Sequence, residues 1–256
     1  MDFEYILSDW HGGDYFRRWH SYEKNIGSLL VHKSTHHFDL INWWIDDTPC
    51  EVFAFGERKF WGDDRYKDHG ERCITCKKPC RYRYDWDAVP VDRPLYLECE
   101  SSDGYYRDRC LWRADIDLPD TFALTCKYES GVLMTYSLVT YGQFEGYRCN
   151  ITGDRARLEL NYNFGGHKPS MKIYNLDGSV SEHFPKEGLG DHGGGDAKIQ
   201  DMLFRGWDDD PLGHAAGTLD GIKSIMIGIC GNISIKEDRK VRLKDELDWD
   251  KYSDIL

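Results

Sequence analysis

Three β-hairpin patterns follow one another over residues 121–185, and they constrain the fold more than any other feature of the chain. Each consists of two β-prone runs around a short turn, first at 129–131, then at 153–154, then at 177–178. Turns of this kind pair consecutive strands antiparallel, as neighbours in one sheet. This half of the chain therefore predicts an antiparallel sheet.

The segments on either side of the hairpins supply helices and further strands. Residues 11–25 have a polar composition that predicts a loop. The other predicted elements are strands at 2–8 and 50–61, a helix at Gly27–Ile45, a helix with Asp196 as its N-cap, a helix at about 214–233 and a closing strand at 240–245. Hairpins in series with helices before and after them predict an α+β fold, a large mostly antiparallel sheet with helices packed on one face.

Composition narrows the class of protein. The 256 residues carry a net charge of −12, which disfavours nucleic acid and anionic membranes as partners. No run reaches the roughly 18 apolar residues of a membrane span, and the first residues lack the layout of a signal peptide. Nine cysteines without a regular framework favour a reduced, cytoplasmic protein. We predict one domain over residues 1–256, with an irregular cysteine-rich insertion at about 62–119.

The predicted helix at Gly27–Ile45 carries an unusual set of titratable side chains. His32 and His36 are four residues apart and share a helix face, Lys33 is a neighbour of His36, and Asp39 follows. Imidazoles titrate near neutral pH, so the group suits general acid–base chemistry on a hydroxyl. The alternative is that these groups are satisfied by packing, which is harder to achieve for so many polar side chains.

Two other segments contain candidate ligand-binding residues. "YFRRWH" places Tyr15, Arg17, Arg18 and His20 together, and arginines between aromatic residues can hold hydroxyls or carboxylates. A surface salt-bridge loop is the alternative. "GLGDHG" at 188–193 matches a dinucleotide-binding pattern in letters only, because a polar segment with a proline precedes it instead of a buried strand. His192 could instead face a polar ligand there.

The insertion contains a candidate metal site. "CITCKKPC" places Cys73, Cys76 and Cys80 at a spacing that includes the C-x2-C of zinc knuckles. Structural zinc takes four ligands, and His69, Cys99 or Cys110 could be the fourth. The alternative is a loop with reduced thiols.

The segment from His11 to Trp44 resembles the second domain of the glucose–fructose oxidoreductase/inositol dehydrogenase/rhizopine catabolism (Gfo/Idh/MocA) family. That domain has a glycine-rich entry, an Asp four residues before a His, an Asp three residues after it, and a Trp. Gly27 matches the entry, with Ser28 in place of a second glycine. His36 and Asp39 match the His and the second Asp, whereas His32 stands in place of the catalytic Asp.

Later segments extend the resemblance over nearly the whole chain. "EGYRCNITGDRARLELN" resembles a family hairpin, although Ala156 replaces a glycine, and "GDHGGGDAKIQDMLF" and "DGIKSIMIGICGNISI" followed by "KVRL" resemble the last helices and strand. The resemblance is weak over 62–119. Family members begin with a Rossmann domain that carries G-x-G-x-x-G and a catalytic Lys, and neither is in this chain. We therefore expect this domain to be missing or separately encoded.

The resemblance implies a role in hydride transfer between a carbinol carbon and NAD or NADP. His36 would hydrogen-bond the reacting hydroxyl of a small-molecule carbohydrate, and His32 and Lys33 would tune it by charge. The residues that would contact the rest of the substrate are Tyr15, Arg17, Arg18, His20, Asp39 and His192. The chain would then be the substrate-binding and oligomerisation part of an NAD(P)-dependent oxidoreductase acting on a sugar, glycoside or polyol. We expect a homo-oligomer formed through the sheet.

Two alternatives remain open at this point. The same fold could serve a glycosidase that cycles a bound NAD without net reduction, or it could be a non-catalytic sugar-binding or assembly module. For the oxidoreductase interpretation we expect the chain by itself to turn over nothing and to bind no NAD(P) tightly.

Overall fold

The structure is a computed structural model that describes residues 1–62, 68–163, 167–185, 188, 191–206 and 210–247. Its centre is a nine-stranded sheet in the order β8-β7-β6-β5-β1-β4-β3-β2-β9. The strands are β1 Asp2–Ser8, β2 Pro49–Glu57, β3 Thr121–Tyr128, β4 Leu133–Gly142, β5 Gly146–Thr152, β6 Ala156–Asn163, β7 His167–Asn175, β8 Val180–His183 and β9 Val241–Arg242.

The sheet is almost entirely antiparallel. The three predicted hairpins form β3–β4, β5–β6 and β7–β8, in the registers that their turns require. β1 lies at the centre, where it pairs parallel with β4 and antiparallel with β5. The predicted α+β class, with a large mostly antiparallel sheet, is confirmed. The closing strand is shorter than predicted, because β9 has only two residues before the chain turns into a helix at Leu243.

Helices cover one face of the sheet. The described α-helices are α1 Asp9–Arg17, α2 Glu23–Ile26, α3 Leu29–His32, α4 Thr35–Ile45, α5 Glu100–Asp103, α6 Gly195–Arg205, α7 Thr218–Glu237 and α8 Leu243–Glu246. Of these, α5 and α6 bury none of their residues and do not belong to this layer. Burial alternates residue by residue along β3 and β4, as expected for a sheet with one covered face and one solvated face. None of the described helices is long and apolar enough to cross a bilayer.

A close approach of two helices fixes the layer over β2. α7 packs on β2 and against both α3 and α4. Gly228 of α7 lies against the backbone of α3, where an added Cβ would come within 2.5 Å of the Leu30 carbonyl oxygen. A glycine at this position lets the two helix backbones meet, which a larger residue would prevent.

The predicted helix at Gly27–Ile45 is broken in the structure. Its first turn is α3, and α4 begins at Thr35 after a kink at Lys33 and Ser34. The Ser34 side chain is fully buried, and both its N–H and its hydroxyl donate to the Leu29 carbonyl. A serine that hydrogen-bonds the preceding turn in this way bends a helix.

The prediction of a loop at residues 11–25 was wrong for most of its length, because α1, a 3-10 turn at Trp19–Ser21 and α2 follow one another there. α1 begins after Ser8, whose hydroxyl accepts from the His11 N–H, and it has Asp9 in its first turn and Arg17 in its last. These residues suit the helix dipole and the N-cap. The prediction also placed the N-cap of α6 at Asp196, whereas Gly194 occupies it and Asp196 lies in the first turn.

Candidate functional site

Aromatic and imidazole rings from three segments meet at the end of α3. Tyr15 of α1 stands edge-on to His20 and His32, with ring centroids 5.5 and 5.7 Å apart. The rings of His20 and His32 are 4.8 Å apart, and Trp19 stacks on His20 at 4.0 Å. We call Tyr15, Trp19, His20 and His32 the histidine cluster. The structure thus brings together residues that the sequence assigned separately to two motifs.

The imidazoles of this cluster are held neutral. Burial, Arg18 and His32 lower the pKa of His20 to about 4. Burial, with the charges of Arg18, His36 and Lys33, also lowers the pKa of His32. His20 is only 6% exposed, and its Nδ1 has no hydrogen-bond partner among the described residues. A neutral imidazole with a free nitrogen can accept a hydrogen bond or a proton from a hydroxyl.

Lys33 and His36 lie beside the cluster. Burial lowers the pKa of Lys33, and the charge of Glu145 partly offsets this lowering. The Lys33 ammonium stands 5.7 Å from the centre of the Tyr5 ring. Burial and the charge of Lys33 lower the pKa of His36, whereas Asp39 acts in the opposite direction. The side chains of His32 and His36 reach the surface of the protein, so a ligand can approach them.

Glu145 is a site residue that the sequence analysis missed. It lies in the connection between β4 and β5, and its carboxylate receives hydrogen bonds from Tyr5 and Ser8 at 3.1 Å each and lies 2.8 Å from His11 Nδ1. Burial raises the pKa of Glu145, but the hydrogen bonds and the charge of His11 outweigh it, so the net shift is downward. Glu145 also acts electrostatically on Lys33, whose pKa its charge raises.

Two signals in the sequence could have pointed to the contact between His11 and Glu145. His11 stands directly before Gly12 and Gly13, and Glu145 sits in a turn that ends a predicted strand. The ring of His11 stacks on that of Tyr15 at 5.7 Å, which joins the Glu145 contacts to the histidine cluster.

His37 has a structural role. It is buried, and its Nδ1 lies 2.9 Å from the Tyr136 hydroxyl, which donates in turn to Ser34. His37 therefore carries its proton on Nδ1, and burial together with Lys33 and His36 lowers its pKa to about 3. This chain of hydrogen bonds fixes α4 on the sheet next to His36.

The other candidates from the sequence lie in different surroundings. Arg18 bonds Asp14 at 3.2 Å and acts on the cluster by its charge. Arg17 turns the other way and donates to the carbonyls of Tyr82 and Arg109 in the insertion. The structure therefore gives Arg17 a role in holding the insertion, and it does not bring this guanidinium to the cluster.

Asp39 and His192 stand at the margins of the site. Asp39 lines a separate cavity of about 720 Å³ with Trp43 and Asp220. His192 is largely exposed, and its Nδ1 lies 2.9 Å from Asp196. Its charge nevertheless reaches His36 and contributes to the lowered pKa there.

The segment at 188–193 does not have the setting of a dinucleotide-binding turn. Residues 189 and 190 lie outside the described residues, and the preceding strand is β8, the edge of an antiparallel sheet. A pyrophosphate-binding turn follows a buried parallel strand. The described residues offer no unit of that kind at this position.

The three cysteines of the candidate metal site line one cavity. Cys73, Cys76 and Cys80 surround a space of about 200 Å³ together with Cys110 and His69. Cys99 is exposed, and its thiol faces the Pro94 carbonyl oxygen. Among the described residues, no three His, Cys, Asp or Glu side chains already converge as metal ligands. The zinc site stays a prediction. Of the three candidates for its fourth ligand, Cys110 and His69 line the cavity and Cys99 does not.

Comparison with known proteins identifies the family. A family model described as "Oxidoreductase family, C-terminal alpha/beta domain" matches residues 4–241. YteT of Bacillus subtilis (strain 168), an oxidoreductase by name, is 34% identical over an alignment that covers 96% of this chain and 62% of YteT. The chain thus spans less than two thirds of the length of this relative.

Solved structures share the fold. An oxidoreductase domain protein from Kribbella flavida matches with a TM-score of 0.58 at 13% identity, over 94% of this chain and 58% of its own. Levoglucosan dehydrogenase, solved with NADH and levoglucosan, matches with a TM-score of 0.56 at 11% identity, over 94% and 57%. Aldose-aldose oxidoreductase from Caulobacter crescentus matches with a TM-score of 0.54 at 11% identity, over 94% and 55%. The chain therefore belongs to the Gfo/Idh/MocA oxidoreductase family, whose C-terminal alpha/beta domain it contains.

Proposed function

We propose that this chain binds the substrate of an NAD(P)-dependent oxidoreductase that acts on a hydroxyl of a sugar, glycoside or polyol. The observation that carries the proposal is the histidine cluster beside Lys33 and Glu145. It presents neutral imidazoles, an ammonium group and an ionised carboxylate within one site. Such a set can accept from hydroxyls, donate to them and balance the charge of an alkoxide.

The residues of this chain divide the work on the substrate. His36 and His32 are neutral and can accept the hydrogen of a substrate hydroxyl, while the charge of Lys33 favours the ionised alcohol. Glu145 offsets the charge of Lys33 and keeps the pair close to neutral overall. Trp19, which is 46% exposed and stacks on the buried His20, gives a flat apolar surface of the kind on which sugar rings stack.

A nicotinamide would supply the hydride acceptor or donor when it is bound. The described residues do not form the strand, glycine-rich turn and helix that hold a pyrophosphate, so we assign none of them to the cofactor. This chain would contribute the residues that handle the proton, which are His32, Lys33 and His36. The carbohydrate class is supported by the substrates in the names of levoglucosan dehydrogenase and aldose-aldose oxidoreductase, which share the fold.

Ligand binding tests this proposal directly. Saturation-transfer NMR on the full chain, with levoglucosan, D-glucose and sorbitol as separate probes, should detect at least one of them. His32→Ala and His36→Ala should each weaken that binding by about tenfold, the effect of losing roughly one hydrogen bond. His183→Ala, an exposed histidine on the edge strand β8, is the matched control and should bind as the unaltered chain does. Binding that neither His32→Ala nor His36→Ala weakens would refute the assignment.

We also propose that the uncovered face of the sheet joins copies of this chain. Phe55 is 60% exposed on that face, beside a shallow depression of about 520 Å³ lined by residues of β1 to β4. Exposed aromatic side chains on a flat sheet favour self-association. Light scattering should give a mass above 29.9 kDa, and Phe55→Glu should lower it. Leu176→Glu, at an exposed turn, is the control. A monomer before any substitution would contradict this arrangement.

A further inference from the structure

Four of the nine cysteines surround a single small cavity in the insertion. Cys73, Cys76, Cys80 and Cys110 all line the space of about 200 Å³. Cys110 is far along the chain from the other three, and backbone hydrogen bonds bring it there: its N–H donates to the Glu71 carbonyl at 2.8 Å.

The backbone around Cys76 is arranged to stabilise a thiolate. The Gly70 N–H donates to Cys76 Sγ at 3.4 Å, and a second bond comes from the Lys78 N–H, two residues after the cysteine. Backbone N–H groups that point at a cysteine sulfur in a C-x2-C turn are the arrangement that supports a metal-bound thiolate.

Cationic groups stand around the same sulfurs. Arg17 donates to Cys73 Sγ at 3.2 Å, and Lys78 and Arg83 line the cavity. Four thiolates around a divalent ion leave two negative charges, which neighbouring cations offset. The turn itself is anchored by Asp108, a fully buried carboxylate that accepts from the Ile74 N–H and from Arg72.

The insertion has little regular structure to hold it together. Between β2 and β3, the described residues contain only a helical turn at Arg93–Leu97, the four-residue α5 and one isolated bridge between Arg72 and Arg109. Segments that cannot build a core of their own are commonly stabilised by a metal or by disulfides. The cysteines that line the cavity are free thiols, and four thiols are the ligand set of a common structural zinc site.

We propose that Cys73, Cys76, Cys80 and Cys110 bind a structural zinc ion that cross-links the insertion. Each thiol loses its proton to solvent as its bond to zinc forms. The sulfurs line the cavity without converging in the structure, so binding requires the thiols to rotate towards its centre. Because Arg17 belongs to α1, which also carries His11 and Tyr15, the metal would steady the helix that supplies the substrate site.

Metal analysis and spectroscopy of the full chain test the site without reference to activity. Chain produced in zinc-supplemented medium and purified under reducing conditions should retain stoichiometric zinc by mass spectrometry. Substitution with Co²⁺ should give the thiolate-to-cobalt charge-transfer band and the visible absorption of a tetrahedral sulfur site. Zinc removal by a chelator should lower the melting temperature. Absence of both stoichiometric zinc and the charge-transfer band would overturn the proposal.

Matched variants identify the ligands. Cys110→Ser should reduce zinc affinity at least tenfold in a competition with a chromogenic chelator, whereas Cys99→Ser should leave it unchanged, because the Cys99 thiol lies outside the cavity. His69→Ala should keep the zinc. Loss of zinc in His69→Ala with retention in Cys110→Ser would overturn the four-cysteine set. If Cys110→Ser does not fold, the cobalt spectrum of the unaltered chain still decides between sulfur ligation and none.

Discussion

Replacement of Gly12 by alanine tests how α1 is fixed on the sheet. A Cβ at this position would lie 1.8 Å from the Thr140 carbonyl oxygen and 2.6 Å from its carbonyl carbon. Ordinary contact begins near 3.4 Å, so α1 would have to move away from β4 by roughly 1.6 Å. The obstacle is the backbone of an interior strand, which cannot rotate away as a side chain can.

The expected loss of stability follows from two opposed effects. Alanine in a helix is favoured over glycine by about 1 kcal/mol, whereas overpacking at a rigid site costs about 1–3 kcal/mol or more. Because the contact is with backbone, we expect the cost to exceed the upper end of that range and Gly12→Ala to lower the free energy of unfolding by about 2 kcal/mol. For a chain of this size this corresponds to a melting temperature about 4–8 °C lower.

Urea denaturation followed by circular dichroism measures this effect, and Gly221→Ala provides the control. Gly221 is also helical, in α7, but a Cβ there meets nothing within 4 Å. The control should be more stable than the unaltered chain by up to about 1 kcal/mol. A Gly12→Ala variant as stable as the unaltered chain would refute the reasoning. Because α1 carries His11 and Tyr15, the destabilised variant should also bind sugar more weakly.

Three further outcomes are expected. The pKa of Glu145 is lowered in the folded chain, so its contribution to stability is present above about pH 4.3 and is lost as the pH falls further; Glu145→Gln should therefore show a shallower fall in melting temperature below that pH. The pKa values of His20 and His37 are lowered to about 4 and about 3, so stability should fall as the pH drops below about 6.5, and NMR at pH 6 should show both rings neutral; charged rings would contradict the burial argument. Calorimetry should detect no tight NAD(P) binding by this chain, and micromolar affinity would show that the cofactor site lies within it.

The fold followed from local sequence signals where these signals are strong. Turns at 129–131, 153–154 and 177–178 specify the three hairpins, because a tight turn fixes strand pairing and register without help from distant residues. The motif with His36 and Asp39 likewise indicated the family from the sequence. Helix α1 was missed, since two glycines and several polar residues give it a low intrinsic propensity, and only packing against Thr140 and Trp61 explains them.

The sequence by itself determined the hairpins, the α+β class and the position of the histidines on one segment. Only the tertiary structure decided which residues meet. Glu145 meets Tyr5 and His11 because β1 pairs with both β4 and β5, and Cys110 joins the other thiols through hydrogen bonds across the insertion. Arg17 and Arg18 are adjacent in sequence but face different surroundings. Contacts between distant segments depend on how the whole sheet and its helices pack, so they cannot be predicted from the residue pattern of any one segment.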